Sequence, residues 1–261
     1  MYKKSRKTIA IAIAIAIAIA IAIAIAIAMR RESFEVEKGG INRLDAVIYI
    51  NLDHRKDRKR EIEAELERMG VDKTKVIRFP AVYEKLNGHL GCVKSHIGVM
   101  KIIQNSNFRN ALILEDDFAF TMSKEEINTK IDGFLDEFGD DWDAIHLSKS
   151  YVNIDRKVTD DVSKINTAMT AAGYMVNNNN DFYEKLLADF KDSEHKLTTN
   201  LEKWKKTNPG EKKYTDGNAL NQHWFGLQKK SKWYIFEPCI GKQSGSGSTI
   251  MGSADNNKKH Y

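Results

Sequence analysis

Residues 46–58 read AVIYINLDHRKDR, and this stretch decides the fold class of the chain. The first seven residues are almost wholly apolar, which is typical of a strand buried on both faces. Apolar residues then recur at Ile62, Leu66 and Met69, the spacing of one helix face, before a glycine that marks a helix end. Asp53 is the predicted N-terminal cap of this helix. The pattern therefore predicts a strand followed by a helix.

The same alternation of strand and helix continues along the chain. Further strands are predicted at 75–79, 111–114, 144–147, 173–176 and 232–236, and further helices at 92–104, 181–190 and 218–227. Strands that alternate with helices predict an α/β fold, in which helices cover both faces of a mostly parallel sheet.

An uninterrupted Ile-Ala repeat occupies residues 9–28. As a helix with a rise of ~1.5 Å per residue, it would be about 30 Å long, which is the thickness of the hydrocarbon core of a bilayer. A strand of this sequence would leave its edges unpaired, so we predict a transmembrane helix over residues 9–29. A cleaved signal peptide and a repeat-expansion artefact are the alternatives, although the apolar region of a signal peptide spans only about 7–15 residues.

Basic residues flank the repeat on both sides, and no acidic residue precedes Glu32. These basic residues are Lys3, Lys4, Arg6, Lys7, Arg30 and Arg31. Four of them precede the span, and the positive-inside rule then favours a cytoplasmic N-terminus. We expect a single-pass (type II) membrane protein, of the ER/Golgi type if the cell is eukaryotic or a viral host.

Charge and cysteine content exclude several classes for the rest of the chain. Removing the six flanking residues from the 41 basic residues leaves 35, against 36 acidic ones, so we expect no nucleic-acid partner. Two cysteines exclude a disulfide framework and a four-cysteine zinc site. The expected organisation is a basic tail (1–8), the transmembrane helix (9–29), a stem (30–43), a globular body (44–248) and a flexible tail (249–261).

Glu115, Asp116 and Asp117 directly follow the predicted strand 111–114. Ligands of open α/β sheets bind outside the carboxyl ends of the strands. Carboxylates two residues apart, Glu115 and Asp117, can converge there on Mg²⁺ or Mn²⁺, which prefer oxygen ligands and neutralise phosphates. A solvated acidic turn is the alternative explanation for an isolated triplet of this kind.

Two other segments are predicted at the same edge of the sheet. Residues 51–58, NLDHRKDR, start a helix and offer arginines to an anion, although an ordinary charged first turn is the alternative. Residues 88–96, GHLGCVKSH, open the next helix with two glycines that allow a close backbone approach. In this segment Cys92 and His96 lie one helical turn apart. They could form a nucleophilic pair. The alternative is a small buried cysteine that packs beside a histidine whose ring nitrogens are hydrogen-bonded.

Taken in order, these segments resemble glycosyltransferase family 25, which includes bacterial lipooligosaccharide galactosyltransferases and the collagen galactosyltransferases. INLDHRKDR, AVYEKLNGHLGCVKSH and ALILEDDF agree with the family in sequence, order and spacing. WDAIHLSKSY, AAGYMVNNNNDFYEKLL, YTDGNAL and EPCIGKQSGSGSTI extend the resemblance more loosely to about Ser248. His89 departs from the pattern, because the family usually has an acidic residue just after this glycine.

The resemblance implies a GT-A-type, Rossmann-like enzyme that uses Mn²⁺ (or Mg²⁺) and a UDP-sugar donor, most simply UDP-galactose or UDP-glucose. The acceptor would be a hydroxyl of a glycan, a lipid-linked sugar or a protein, and the anomeric centre would be inverted in one displacement. Matched position by position, Asp117 would be the principal metal ligand, Glu115 a second ligand or ribose contact, and Asp116 a supporting carboxylate.

The resemblance also implies contacts to the nucleotide and a catalytic base. Asn51, Leu52, Arg58 and Ser95 lie where the nucleotide would bind. Asp216, in a loop before the helix 218–227, is the candidate base for the acceptor hydroxyl, with a helix cap as the alternative. Two other functions use the same residues: a catalytically inactive relative that binds the donor or a glycan as a scaffold, and a metal phosphohydrolase.

Overall fold

The computed structural model describes residues 38–208 and 218–244. The basic tail 1–8, the predicted transmembrane helix 9–29, the first part of the stem, Asp216 and the tail 249–261 lie outside these residues. Within the two described ranges, no helix combines the length and the apolar character that crossing a bilayer requires.

The described residues form ten strands and four helices longer than one turn. The strands are β1 Ala46–Asn51, β2 Val76–Pro80, β3 Asn110–Glu115, β4 Phe118–Phe120, β5 Ala144–His146, β6 Tyr151–Lys157, β7 Val162–Met169, β8 Gly173–Asn177, β9 Trp233–Phe236 and β10 Gly241–Gln243. The helices are α1 Lys56–Arg68, α2 Gly88–Asn105, α3 Lys124–Phe138 and α4 Phe182–Thr207, followed by single turns at Leu220–His223 and Phe225–Gln228.

Eight of these strands form one sheet in the order β2-β1-β3-β8-β5-β9-β7-β6. β1 pairs in parallel with both β2 and β3, and β5 pairs in parallel with β9. β8 and β7 run antiparallel to both of their neighbours, so the other six strands share one direction. The predicted α/β class with a mostly parallel sheet is confirmed, and β8 and β7 are the departures from it.

Strand β1 is buried on both faces, as its apolar sequence predicts. Alternate residues belong to two different apolar clusters: Ile48 and Ile50 pack in the cluster that includes α2 and α4, whereas Val47 and Tyr49 pack in the cluster that includes α1 and α3. Successive side chains of a strand point to opposite faces, so one sequence segment anchors both layers of helices.

Several element boundaries differ from those that the sequence predicts. Helix α1 begins at Lys56, and Asp53 is not its cap, because Asp53 Oδ1 instead accepts a hydrogen bond from Arg78 at 2.6 Å. The predicted helix 218–227 is two separate turns, since the fully buried Trp224 lies between them and donates to the backbone oxygen of Ala168.

Other elements were not predicted at all. Helix α3 begins with a capping box between Ser123 and Glu126, a signal that the sequence does contain. The hairpin β6–β7 extends the sheet on its far edge. Residues Gly40–Arg43, placed in the stem by the sequence, form a 3₁₀ turn with Ile41 buried in the core.

Candidate functional site

The parallel pairing of β1 with β3 brings the ends of these two strands together, with Ile50 opposite Glu115. Asn51 and the Glu115–Asp117 triplet therefore share one edge of the sheet, as expected for parallel strands. A cleft with a cavity of about 110 Å³ opens at this edge, between α1, α2, residues 81–84 and Gln243. Ligand pockets are usually about 300–1,000 Å³, so a nucleotide-sized ligand would extend from this cavity toward the surface.

Asp116 is held at both carboxylate oxygens. Asn51 Nδ2 donates to Asp116 Oδ2 at 2.7 Å, and a terminal nitrogen of Arg58 donates to Asp116 Oδ1 at 2.9 Å. The Asn51 amide is fixed in turn, because Arg78 donates to its Oδ1 at 3.0 Å. Both oxygens of Asp116 are thus occupied, and this carboxylate positions Arg58, which lines the cleft.

Asp117 is the carboxylate with an unsatisfied oxygen. Its Oδ2 lies 3.3 Å from Arg58, but its buried Oδ1 has no hydrogen-bond partner among the described residues. Burial and the charges of Glu115 and Asp116 raise the pKa of Asp117 to about 7, against the opposing effects of Arg58 and Gln243. An oxygen ligand with excess negative charge around it suits a hard divalent cation, so this residue fits the Mn²⁺ or Mg²⁺ that the family resemblance implies.

Glu115 faces helix α2. The thiol of Cys92 donates to Glu115 Oε1 over 3.4 Å, and His96 Nε2 lies 3.6 Å from the same oxygen. Burial alone would raise the pKa of Glu115, but His96, Cys92 and Arg58 outweigh it and hold the pKa below its ordinary value. The carboxylate of Glu115 is therefore ionised within the protein interior.

Residues 81–84 form one wall of the cleft and are held against α2. Ser95 Oγ accepts from the Val82 amide at 2.8 Å and donates to the Gly91 carbonyl at 2.7 Å. A Cβ atom at Gly91 would lie 2.5 Å from the Val82 carbonyl oxygen, so only glycine allows this approach. Lys94 and Glu84 add an ion pair at 2.5 Å. Ser95, a predicted nucleotide contact, lines the cleft and also positions this wall.

The wall exposes an aromatic side chain that the sequence analysis did not single out. Tyr83 is 60% exposed and packs edge-on against His54, with ring centroids 5.5 Å apart. Its position could have been found from the sequence, because residues 81–83 follow β2, a parallel neighbour of β1, and therefore emerge at the same edge. Leu52, a predicted nucleotide contact, also lines the cleft.

The C-terminal strand reaches the site through the small sheet of β4 and β10. Gln243 pairs with Phe118, and the Ser244 amide donates to the Asp117 carbonyl at 2.5 Å. The sequence segment 242–244 therefore lies next to the carboxylate triplet, where Gln243 lines the cleft.

Three aromatic side chains near the C-terminal end of the described residues are not part of the cleft lining. His223 pairs with Asp192 at 2.9 Å, and Trp224 and Trp233 are fully buried in the core. Asp216, the predicted base, lies outside the described residues.

Comparison with known proteins supports the predicted resemblance. Residues 86–199 match the family model described as glycosyltransferase family 25 (LPS biosynthesis protein). Procollagen galactosyltransferase 1-B of Xenopus laevis is 27% identical over 139 residues, which cover 42% of this chain and 22% of the relative. The chain thus spans about a fifth of that relative's length.

Two solved structures resemble this chain, but only at low sequence identity and low TM-score. Mannose-1-phosphate geranyltransferase from Thermus thermophilus has a TM-score of 0.42 at 8% identity, over 73% of this chain and 72% of its own. A glycosyltransferase involved in glycosylation of the major capsid of PBCV-1 has a TM-score of 0.38 at 10% identity, over 79% and 94% of the two chains.

The family match includes the start of α2, with Cys92 and His96, and the triplet Glu115–Asp117. These are two of the three segments on which the predicted resemblance depends. Residues 86–199 of this chain are therefore similar to glycosyltransferase family 25.

Proposed function

We propose that this protein is a glycosyltransferase that moves a hexose from a UDP-sugar to a hydroxyl of a glycan, a lipid-linked sugar or a protein. The observation that carries the proposal is Asp117 Oδ1, a buried carboxylate oxygen without a hydrogen-bond partner among the described residues. Asp117 lines a cleft, and part of the cleft lining lies in the segment that matches family 25. A buried polar atom of this kind calls for a ligand.

Asp117 is the residue that we assign to hold Mn²⁺ or Mg²⁺. Glu115, the second ligand that the resemblance implies, has its Oε1 against Cys92 and His96 instead. A divalent cation bound there supplies the positive charge that neutralises a departing diphosphate. Asp116 does not compete for this role, because Asn51 and Arg58 occupy both of its oxygens. It fixes Arg58 instead, whose guanidinium adds positive charge at the floor of the cleft.

The start of α2 and the wall at residues 81–84 form the remaining donor contacts that we propose. Gly88 opens an 18-residue helix at the cleft, and the positive end of such a helix favours phosphate. Tyr83 offers an exposed ring on which a uracil base can stack, and Leu52 faces the cleft beside it. Polar contacts to phosphate and an aromatic contact to the base together select a nucleotide.

Acceptor chemistry needs a base to take the proton of the attacking hydroxyl. Asp216 remains the proposed base for this step, which inverts the anomeric carbon in one displacement. We also propose that residues 9–29 anchor the enzyme in a membrane with a cytoplasmic N-terminus, so that the catalytic body meets its acceptor on the opposite side.

Calorimetric titration of the full chain in detergent with UDP, with and without Mn²⁺, tests the proposal. We expect Mn²⁺ to strengthen UDP binding, and Asp117→Asn to abolish that gain. Asp160→Asn, which changes a fully exposed carboxylate on the β6–β7 turn, is the matched control and should bind like the parent. Failure of folded protein to bind UDP in either condition would overturn the proposal, and UDP binding without transfer to any acceptor would favour an inactive scaffold.

A further inference from the structure

Three side chains with different metal-binding atoms meet at the floor of the cleft. Cys92 and His96 lie one turn apart on α2, and Glu115 ends β3 opposite them. Glu115 Oε1 is 3.4 Å from Cys92 Sγ and 3.6 Å from His96 Nε2, and the three atoms all lie within 4.8 Å of one another. One sulfur, one nitrogen and one oxygen are thus close enough together to contact the same ion.

These separations suit a tetrahedral ion. With metal bonds of about 2.3 Å to sulfur and about 2.0 Å to nitrogen and oxygen, the ligand atoms of a tetrahedral zinc site lie roughly 3.3–3.6 Å apart. The two measured separations to Glu115 Oε1 fall in or close to this range. A thiolate and a carboxylate also balance the two positive charges of the ion, which a buried site requires.

His96 provides an independent indication that a ligand belongs here. Its side chain is 1% exposed, yet Nε2 makes no hydrogen bond within the described residues, and it is directed at Glu115. Its other nitrogen, Nδ1, shares a hydrogen bond of 2.8 Å with the Tyr174 hydroxyl. Metal-binding histidines are commonly oriented by such a bond, in which one ring nitrogen donates and the other binds the metal.

Tyr174 suits this orienting role. Its hydroxyl is fully buried beside the imidazole, and its oxygen can accept the hydrogen bond that His96 Nδ1 donates. The arrangement around His96 Nε2 is therefore already set for a cation.

We propose that Cys92, His96 and Glu115 bind a divalent cation of the zinc class, at a site distinct from the hard-cation ligand Asp117. The sulfur and nitrogen ligands select a borderline metal such as Zn²⁺ over Mn²⁺ or Mg²⁺. On binding, the Cys92 thiol releases its proton to solvent and the thiolate bonds to the metal. Three protein ligands leave a fourth position, which faces the cleft because all three residues line it. The ion ties α2 to the end of β3.

Cobalt titration of the chelator-stripped full chain in detergent tests this site without any activity measurement. We expect one Co²⁺ per chain, with thiolate-to-cobalt charge-transfer absorption that an equivalent of Zn²⁺ removes. Cys92→Ser and His96→Gln should lose the absorption. Cys239→Ser, which changes the other cysteine of the chain, should keep it. Tyr174→Phe, a change at a positioning residue, should weaken Co²⁺ affinity about 10–100-fold.

A second measurement guards against variants that fail to fold. Zn²⁺ should raise the melting temperature of the parent protein, whereas folded Cys92→Ala should show no such rise. Absence of the charge-transfer absorption in folded parent protein, or its persistence in Cys92→Ser, would overturn the proposal. Asp117→Asn should keep the cobalt absorption while it loses Mn²⁺-dependent UDP binding, so the failure of this site and the failure of the proposed function are distinguishable.

Discussion

One guanidinium nitrogen of Arg58 lies 2.9 Å from Asp116 Oδ1 and 3.3 Å from Asp117 Oδ2. All three side chains are buried, so a single cation offsets two adjacent carboxylates that sit apart from water. Breaking a buried ion pair from one side leaves an uncompensated charge, which costs more than the pair itself contributes.

Arg58→Met should therefore destabilise the protein by about 3–5 kcal/mol in urea unfolding and abolish UDP binding. Lys59→Met is the neighbouring control, because Lys59 is 42% exposed in its ion pair with Glu63. This control should change the free energy of unfolding by less than about 1 kcal/mol. Equal losses for the two variants would contradict the role given to Arg58.

Asp117→Asn should stabilise the metal-free protein while removing its metal dependence. The pKa of Asp117 is about 7 in the folded protein and lies near 3.8 in an ordinary environment, so ionising this group costs stability as pH rises between these values. An amide avoids that cost, and unfolding at pH 8 should require at least about 1 kcal/mol more free energy in the variant. A less stable variant at pH 8 would show that the ionised carboxylate is instead favourably paired.

His146 should make the protein sensitive to mild acid. Burial lowers the pKa of His146 to about 3, and Gln228 Nε2 donates to its Nε2, which holds the ring neutral. The unfolded chain takes up a proton below about pH 6.5, whereas the folded chain does not. The contribution of His146 to the free energy of unfolding is therefore complete above pH 6.5 and falls as the pH drops toward 3. At pH 5 this free energy should be lower by about 2 kcal/mol.

Comparison of unfolding free energies at pH 7.5 and pH 5 for the parent and His146→Gln tests this. The difference between the two pH values should shrink by about 2 kcal/mol in the variant. An unchanged difference would assign the acid sensitivity to other groups.

Gly91→Ala should displace the wall of the cleft. The new Cβ would meet the Val82 carbonyl at 2.5 Å, a backbone atom that cannot move aside alone. We expect weaker UDP binding and a lower melting temperature. Gly133→Ala in α3 is the control, since nothing lies within 4 Å of its Cβ, and alanine should stabilise this helix by about 0.5–1 kcal/mol.

Tyr83→Ala should weaken UDP binding about 5–150-fold, because stacking of a base on an aromatic ring contributes about 1–3 kcal/mol. Tyr83→Phe should retain most of the affinity, since the ring and not the hydroxyl makes the contact. Tyr151→Ala removes another exposed tyrosine, on β6, and should leave UDP binding unchanged. Calorimetry on the three variants measures these differences, and full affinity in Tyr83→Ala would remove this residue from the donor site.

Local sequence determined the elements that position the site. The apolar run at residues 46–52 could only be buried on both faces, and the triplet Glu115–Asp117 had to follow a strand end. The spacing of apolar residues and their hydrophobicity can be read from a few neighbouring residues. The buried strand and the acidic triplet at a strand end were therefore predictable. The family 25 resemblance came from the same segments, because their order and spacing are properties of the chain alone.

Tertiary structure decided what each carboxylate of the triplet does. Three consecutive acidic residues look alike in sequence, yet Asp116 is held by Asn51 and Arg58, Glu115 faces Cys92 and His96, and Asp117 keeps an unsatisfied oxygen. The partners come from β1, α1 and α2, which are 19 to 65 residues away along the chain. Hydrogen bonding and burial depend on distances between such remote segments, and only the folded sheet sets those distances.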